Sequence, residues 1–260
     1  MALVISSTFF WMEIPTLRLI SGALIGKLGQ FSIGSAMKSL ARYVTVCSLL
    51  QALLPEPAWS APASSAPVVG RVLLVHGIHD NEGAMRWMKR RLEARGWQVY
   101  GISLKPNDGS ITFDAMGRQL KAFVTDHFRP GETFDIVAFS MGGLVSRYYI
   151  QKLGGAERVR RFVTISTPNH GTIWAWLSGR AGVKQMRPGS AMLRELNANT
   201  NALQQMNYTS IYTPLDLTIV PAASSRMAVG RNVIAWVPLH PLMVMMPGPL
   251  RAVERALEED

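Results

Sequence analysis

From Arg71 to the C-terminus, short apolar runs alternate with helix-length amphipathic segments, and this alternation limits the fold more than any other feature of the chain. Residues 72–75 form a compact β-rich run ending at His76-Gly77. Residues 82–95 put Met85, Met88 and Leu92 on one helical face and stop at Gly96. A second strand pattern covers 97–104, followed by the turn residues Pro106-Asn107-Asp108-Gly109. A helix is predicted over 113–128, then a strand before Ser140 and a helix after it that runs to Gly154-Gly155. Further strands are predicted over 161–165, 209–212 and 232–237, with a closing amphipathic helix over 249–259. Strands separated by helix-length segments call for an α/β architecture, a mostly parallel central sheet with helices on both faces.

Within this pattern, residues 134–143 read Phe-Asp-Ile-Val-Ala-Phe-Ser-Met-Gly-Gly. An apolar strand runs into Ser140, with Ala138 two residues before it and Gly142 two after. This is the sequence form of a nucleophile elbow, a sharp strand-to-helix turn that exposes a serine hydroxyl. The turn is crowded, so both flanking positions must be small; Gly142 meets that demand and Ala138 departs from it by one methyl.

Serine attacks poorly unless a base takes its proton, and histidine has the pKa for that task. Five histidines are available: His76, His79, His127, His170 and His240. His127 falls late in a helix and reads as a surface residue, while His76 and His79 belong to the loop after the first strand. In a sheet of this kind catalytic groups project from loops at the carboxyl ends of strands. The order serine, acid, histidine leaves His170 and His240, and His240 alone leaves room for an acid at a strand end. That acid is Asp216, the sole carboxylate between Glu195 and Glu254. It would hold the histidine's tautomer and stabilise the imidazolium. A tetrahedral intermediate also needs two backbone N–H donors. Met141, directly after the serine, and Ile78, in the loop after the first strand, are placed to supply them.

These residues resemble the α/β-hydrolase superfamily, and within it the small secreted bacterial lipases and esterases. The resemblance rests on Val75-His76-Gly77-Ile78, residues 136–143, residues 165–171, Asp216 and His240, and spans about Arg71 to Glu258. Bacillus-type lipases also carry alanine at the place of Ala138, whereas they have histidine where this chain has Phe139. The resemblance implies attack by Ser140 on an ester carbonyl, an acyl-enzyme, and its hydrolysis by water activated through His240. No cofactor is expected, and no metal-ligating residue is assigned. The expected partner is a small-molecule or lipid ester, with transient contact at a membrane or lipid interface. Residues 173–177, with Trp174 and Trp176, and residues 242–246, with Met243, follow strand ends and could line an acyl slot; packing as helix and core is the equal alternative. Acyl transfer or amide cleavage by the same triad is the first alternative function, and a silent lipid- or protein-binding fold is the second.

The Lys and Arg total of 27 against 17 Asp and Glu could attract nucleic acid or anionic surfaces. The basic residues are scattered, and no zinc spacing, heptad register or RNA-binding aromatic signature accompanies them, so nucleic acid is excluded from the reading. The first 60 residues differ in kind. From Met37 a basic start, an apolar run over 43–54 and the small residues around Ser60 follow the order of a secretory signal peptide. The run is shorter than the ~20 residues that span a bilayer. The expected organisation is a leader over 1–60 with its signal at 37–60, a linker over 61–70 and a catalytic domain over 71–260. The protein is expected to be exported, with anchoring through an uncleaved N-terminus as the alternative. Cys47, the one cysteine, lies in the segment to be removed.

Overall fold

Among the described residues six strands form one sheet: β1 (Gly70–Val75), β2 (Trp97–Ile102), β3 (Phe134–Phe139), β4 (Val159–Ile165), β5 (Asn207–Tyr212) and β6 (Arg231–Ile234). The computed structural model describes residues 68–259. The expected leader, its signal peptide and most of the linker therefore lie outside the described residues. The strands pair in the order β2-β1-β3-β4-β5-β6, and every pairing is parallel. Between them lie α1 (Arg86–Glu93), α2 (Phe113–His127), α3 (Met141–Lys152), α4 (Ala181–Gln185), α5 (Ala191–Ala198) and α6 (Asn201–Gln204), with α7 (Pro247–Glu258) at the end.

Side chains alternate across a strand, so each strand feeds two cores. Leu73, Val75, Ile136 and Ala138 pack on one face against Phe113 and Leu120 of α2 and Leu144 and Val145 of α3. Val72, Leu74, Val137, Phe139, Val163 and Ile165 pack on the other against Met88 and Leu92 of α1 and Leu250 and Val253 of α7. Each such buried Val, Leu, Ile, Met or Phe contributes roughly 2 kcal/mol. A bidentate pair from Arg91 to the buried Glu254, at 2.6 and 2.9 Å, ties α1 to α7.

Two expected boundaries shift by more than two residues. The helix expected over 82–95 opens as a 3₁₀ turn, Glu82–Met85, before α1 begins. The last strand ends at Ile234 because, beyond Ala235, the chain bonds the Thr213 hydroxyl in place of the β5 main chain; Thr213 Oγ1 donates to the Val237 carbonyl at 2.7 Å. Among the described residues no helix is long and apolar enough to cross a membrane.

The site follows from strand order. The chain leaves β2 at the edge and returns to β3 on the other side of β1, so connections diverge above β1 and β3, where α/β sheets bind ligands. Register does the rest. Val75 is paired with Ala138, so Gly77 and Ser140, each two residues further on, emerge side by side.

Candidate active site

Ser140 links β3 to α3 with φ 53° and ψ −123°, a left-handed value uncommon for a residue with a side chain. Its neighbours hold that strain in place. The Ser140 N–H donates to the Ile165 carbonyl at 2.8 Å, and its own carbonyl accepts from Gly143 N–H at 3.1 Å and Thr167 Oγ1 at 3.0 Å. A Cβ on Gly142 would run into the carbonyls of His76 and Val75, the latter at 2.6 Å, so the elbow helix crosses β1 too closely for any side chain. A Cβ on Gly143 would collide with Thr167. Ala138 is wholly buried in the sheet, where its methyl fits.

Asp216 follows β5 and is buried. Its Oδ1 accepts the Thr218 and Ile219 N–H groups, both at 2.9 Å, and its Oδ2 takes a hydrogen bond from His240 Nδ1 at 2.8 Å. Burial alone would push this carboxyl up, but His240 and the two amides outweigh burial and leave it below its ordinary value. With Nδ1 committed to Asp216, Nε2 of His240 is left to receive a proton. The His240 ring lies against Phe139, the residue before the serine, with centroids 4.7 Å apart. His170 is exposed, and its Nδ1 lies 3.3 Å from the Asn197 amide, away from this pair. His127 stacks on Phe123 at the surface.

His76 organises the opposite wall. Its Nε2 accepts the Leu104 N–H at 2.9 Å, which assigns the ring hydrogen to Nδ1, and Nδ1 donates to the Gly77 carbonyl at 2.7 Å. Burial holds this ring below its ordinary pKa and so keeps it neutral. In a trans peptide the N–H points opposite to the carbonyl, so fixing Gly77 C=O also aims the Ile78 N–H. Among the described residues neither that N–H nor the Met141 N–H has a protein acceptor.

The three residues named for an acyl slot separate. Trp174 and Trp176 are 38% and 59% exposed. Trp174 Nε1 donates to the Leu217 carbonyl at 2.8 Å, beside Asp216, and Trp176 lies under the Arg187 guanidinium at 4.6 Å. Met243 has no exposed surface and packs with Val244, Leu250 and Val253 beneath the sheet. It is a core residue, because the turn His240–Val244 directs it inward against α7.

Two charged residues did not emerge from sequence reasoning. Arg147 is fully buried in α3 and donates to Asn169 Oδ1 at 3.2 Å, the Leu196 carbonyl at 2.9 Å and Gln151 Oε1 at 3.1 Å. Burial pulls its pKa down to about 10, so it remains a cation. Its signal was present: Leu144, Val145, Tyr149 and Ile150 leave the elbow helix little solvent face on which to carry a charge. Asp80, in the loop after β1, is the second.

The sequence model of palmitoyl protein thioesterases matches residues 71–214. Among solved structures, a Bacillus licheniformis lipase in mature form aligns at TM-score 0.60 and 15% identity, over 76% of this chain and 95% of that one. Aspergillus fumigatus lipase B aligns at 0.64 and 18%, over 80% of this chain and 56% of its own. A Bacillus anthracis bromoperoxidase aligns at 0.56 and 13%, over 74% and 94%. These likenesses establish the α/β-hydrolase fold.

Proposed function

This chain belongs to the palmitoyl protein thioesterase family, and from that premise we propose that it is a serine-dependent carboxylic ester hydrolase. Ser140 Oγ passes its proton to His240 Nε2 and attacks the acyl carbon. The oxyanion takes hydrogen bonds from the Ile78 and Met141 N–H groups, and Asp216 stabilises the imidazolium. Collapse expels the alkoxide, which takes the proton from His240; water then repeats the sequence and frees the acid. The observation that carries this reading is the 2.8 Å hydrogen bond between His240 Nδ1 and Asp216 Oδ2, made by loops that follow neighbouring strands beyond the strained Ser140.

The family match favours a second substrate, a thioester. The acyl-enzyme is the same and only the leaving group differs. A thiol of pKa about 8.5 departs as thiolate with little help, whereas an alkoxide needs the proton of His240. Trp174 and Trp176, with the exposed Leu215 and Leu217, give the acyl chain an apolar rim and offer contact with a lipid surface. The basic, apolar and small-residue order of 37–60 supports export; N-terminal sequencing of the exported protein should begin near Ala61.

The test is turnover of p-nitrophenyl esters from acetate to palmitate, with palmitoyl-coenzyme A as a thioester arm, beside Ser140→Ala. Loss of about 10⁶ in kcat on that substitution is expected. Equal turnover by the two proteins overturns the proposal. A thioester preference that persists at equal acyl length selects the second substrate. Tight lipid binding with no turnover in any arm identifies a silent binding fold.

A further inference from the structure

We propose that Asp80 is a positioning residue of this reaction, a second carboxylate that acts on His240 from the oxyanion loop while Asp216 holds the ring through Nδ1. The proposal deepens the hydrolase reading and rests on it.

The geometry is carried by Gly77. The position of its missing Cβ lies 3.1 Å from Ser140 Cβ, 3.2 Å from Asp80 Oδ2 and 3.2 Å from Phe139 Cδ1. The Asp80 carboxylate and the nucleophile's side chain therefore share one small space, within about 6 Å of each other. Phe139, the third group there, is the residue whose ring rests on His240. A glycine eases that approach, since a Cβ at Gly77 would sit tight against all three groups.

The loop is built to hold Asp80 there. Asn107, from the turn after β2, clamps it twice: its carbonyl accepts the His79 N–H at 2.7 Å, and its side-chain amide donates to the Asp80 carbonyl at 2.6 Å. His79 between them has φ 61°, a conformation unfavourable for a residue with a side chain. Helix capping does not explain the acid, because the neighbouring Asn81 performs it, accepting the Gly83 N–H at 2.8 Å. Among the described residues the Asp80 carboxyl has no hydrogen bond or ion pair of its own.

Desolvation raises Asp80 to about 6, against the opposing pull of His240. The titratable and charged groups of the adjoining elements are the buried, neutral His76, the exposed Glu82 that acts on it, Asp216 bonded to His240, and Asp108 and Arg180, which act on His79. Among the described residues no cation bonds the carboxylate, so above about pH 6 its charge lowers stability. That charge becomes useful when Ser140 passes its proton to His240, because the imidazolium then has two carboxylates to face.

The sign of the linkage makes a test that a structural role would fail. A carboxyl raised on folding contributes stability that is present below the unfolded value near 4 and is lost as pH rises through about 6. Asp80→Asn should therefore raise the Tm by a few degrees at about pH 8, with the gap closing towards about pH 4. The same variant should lose about tenfold in kcat/KM at about pH 8, with the acid limb of the profile shallower and moved to lower pH by about one unit. Asp80→Glu, measured in parallel, should recover part of the rate. Unchanged kcat/KM and an unshifted limb in Asp80→Asn would overturn the proposal, as would a fall in Tm at about pH 8 that parallels the loss of rate. If no ester or thioester is turned over, the hydrolase reading fails separately. Asp80 is then decided by NMR of the His240 ring in Ser140→Ala, where an unaltered pH response on adding Asp80→Asn would refute it.

Discussion

Asp216 holds its charge where burial would discourage it, and two consequences follow for the proposed triad. Replacing Asp216 by Asn removes the acceptor that keeps the His240 hydrogen on Nδ1, so kcat should fall by about 10⁴ with little change in KM. Because the folded carboxyl lies below its ordinary value, its contribution to stability is present above about pH 4 and is lost as pH falls through the folded value. Asp216→Asn should accordingly lower the Tm at neutral pH by more than in acid, measured by thermal melts across the acid range. The pairing of Asp216 with His240 was legible in the chain because chain order and strand ends left few candidates. Asp80 was not: nothing in a run of His-Asp-Asn marks which side chain turns under a glycine towards the nucleophile. That depends on the Asn107 clamp, which comes from another loop.

The strand–elbow–helix unit carries its own rule at the scale of elements. Ala138 lies within a strand, where a methyl fits between layers, but Gly142 lies where α3 crosses the end of β1 and its missing Cβ faces carbonyl oxygens. Gly142→Ala should cost about 3 kcal/mol or more in urea unfolding, because backbone has to move. Arg147 fastens the same helix to the loop after β4. Arg147→Met leaves Asn169 Oδ1 and the Leu196 carbonyl without that donor and should cost about 3 kcal/mol in the same experiment. Strand and helix positions were readable from periodicity, since burial on two faces imposes it. The early end of β6 was not, because a hydroxyl of Thr213 competes for the backbone there.

Among the described residues, the loops at the carboxyl ends of β4 and β5 expose Ile173, Trp174, Trp176, Leu215 and Leu217, with Arg187 over Trp176 and the exposed Arg180, paired with Asp108, further along the first of these loops. Aromatic side chains beside cations suit an anionic lipid surface. Binding to vesicles containing phosphatidylglycerol should exceed binding to neutral vesicles and weaken with salt. Trp174→Ala with Trp176→Ala should reduce it about tenfold in a sedimentation assay. Activity on a short soluble ester should then fall less than activity on a dispersed long-chain one.

The amino-acid order alone determined the α/β class, the elbow and the acid and histidine to be sought after it, because these depend on local periodicity, steric demand and sequence order. The tertiary structure decided which charges are buried and what they face. Burial and approach between loops distant in sequence are set by strand order and register, so Asp80 came near Ser140, Arg147 met Asn169 and Met243 turned inward only once the sheet was assembled.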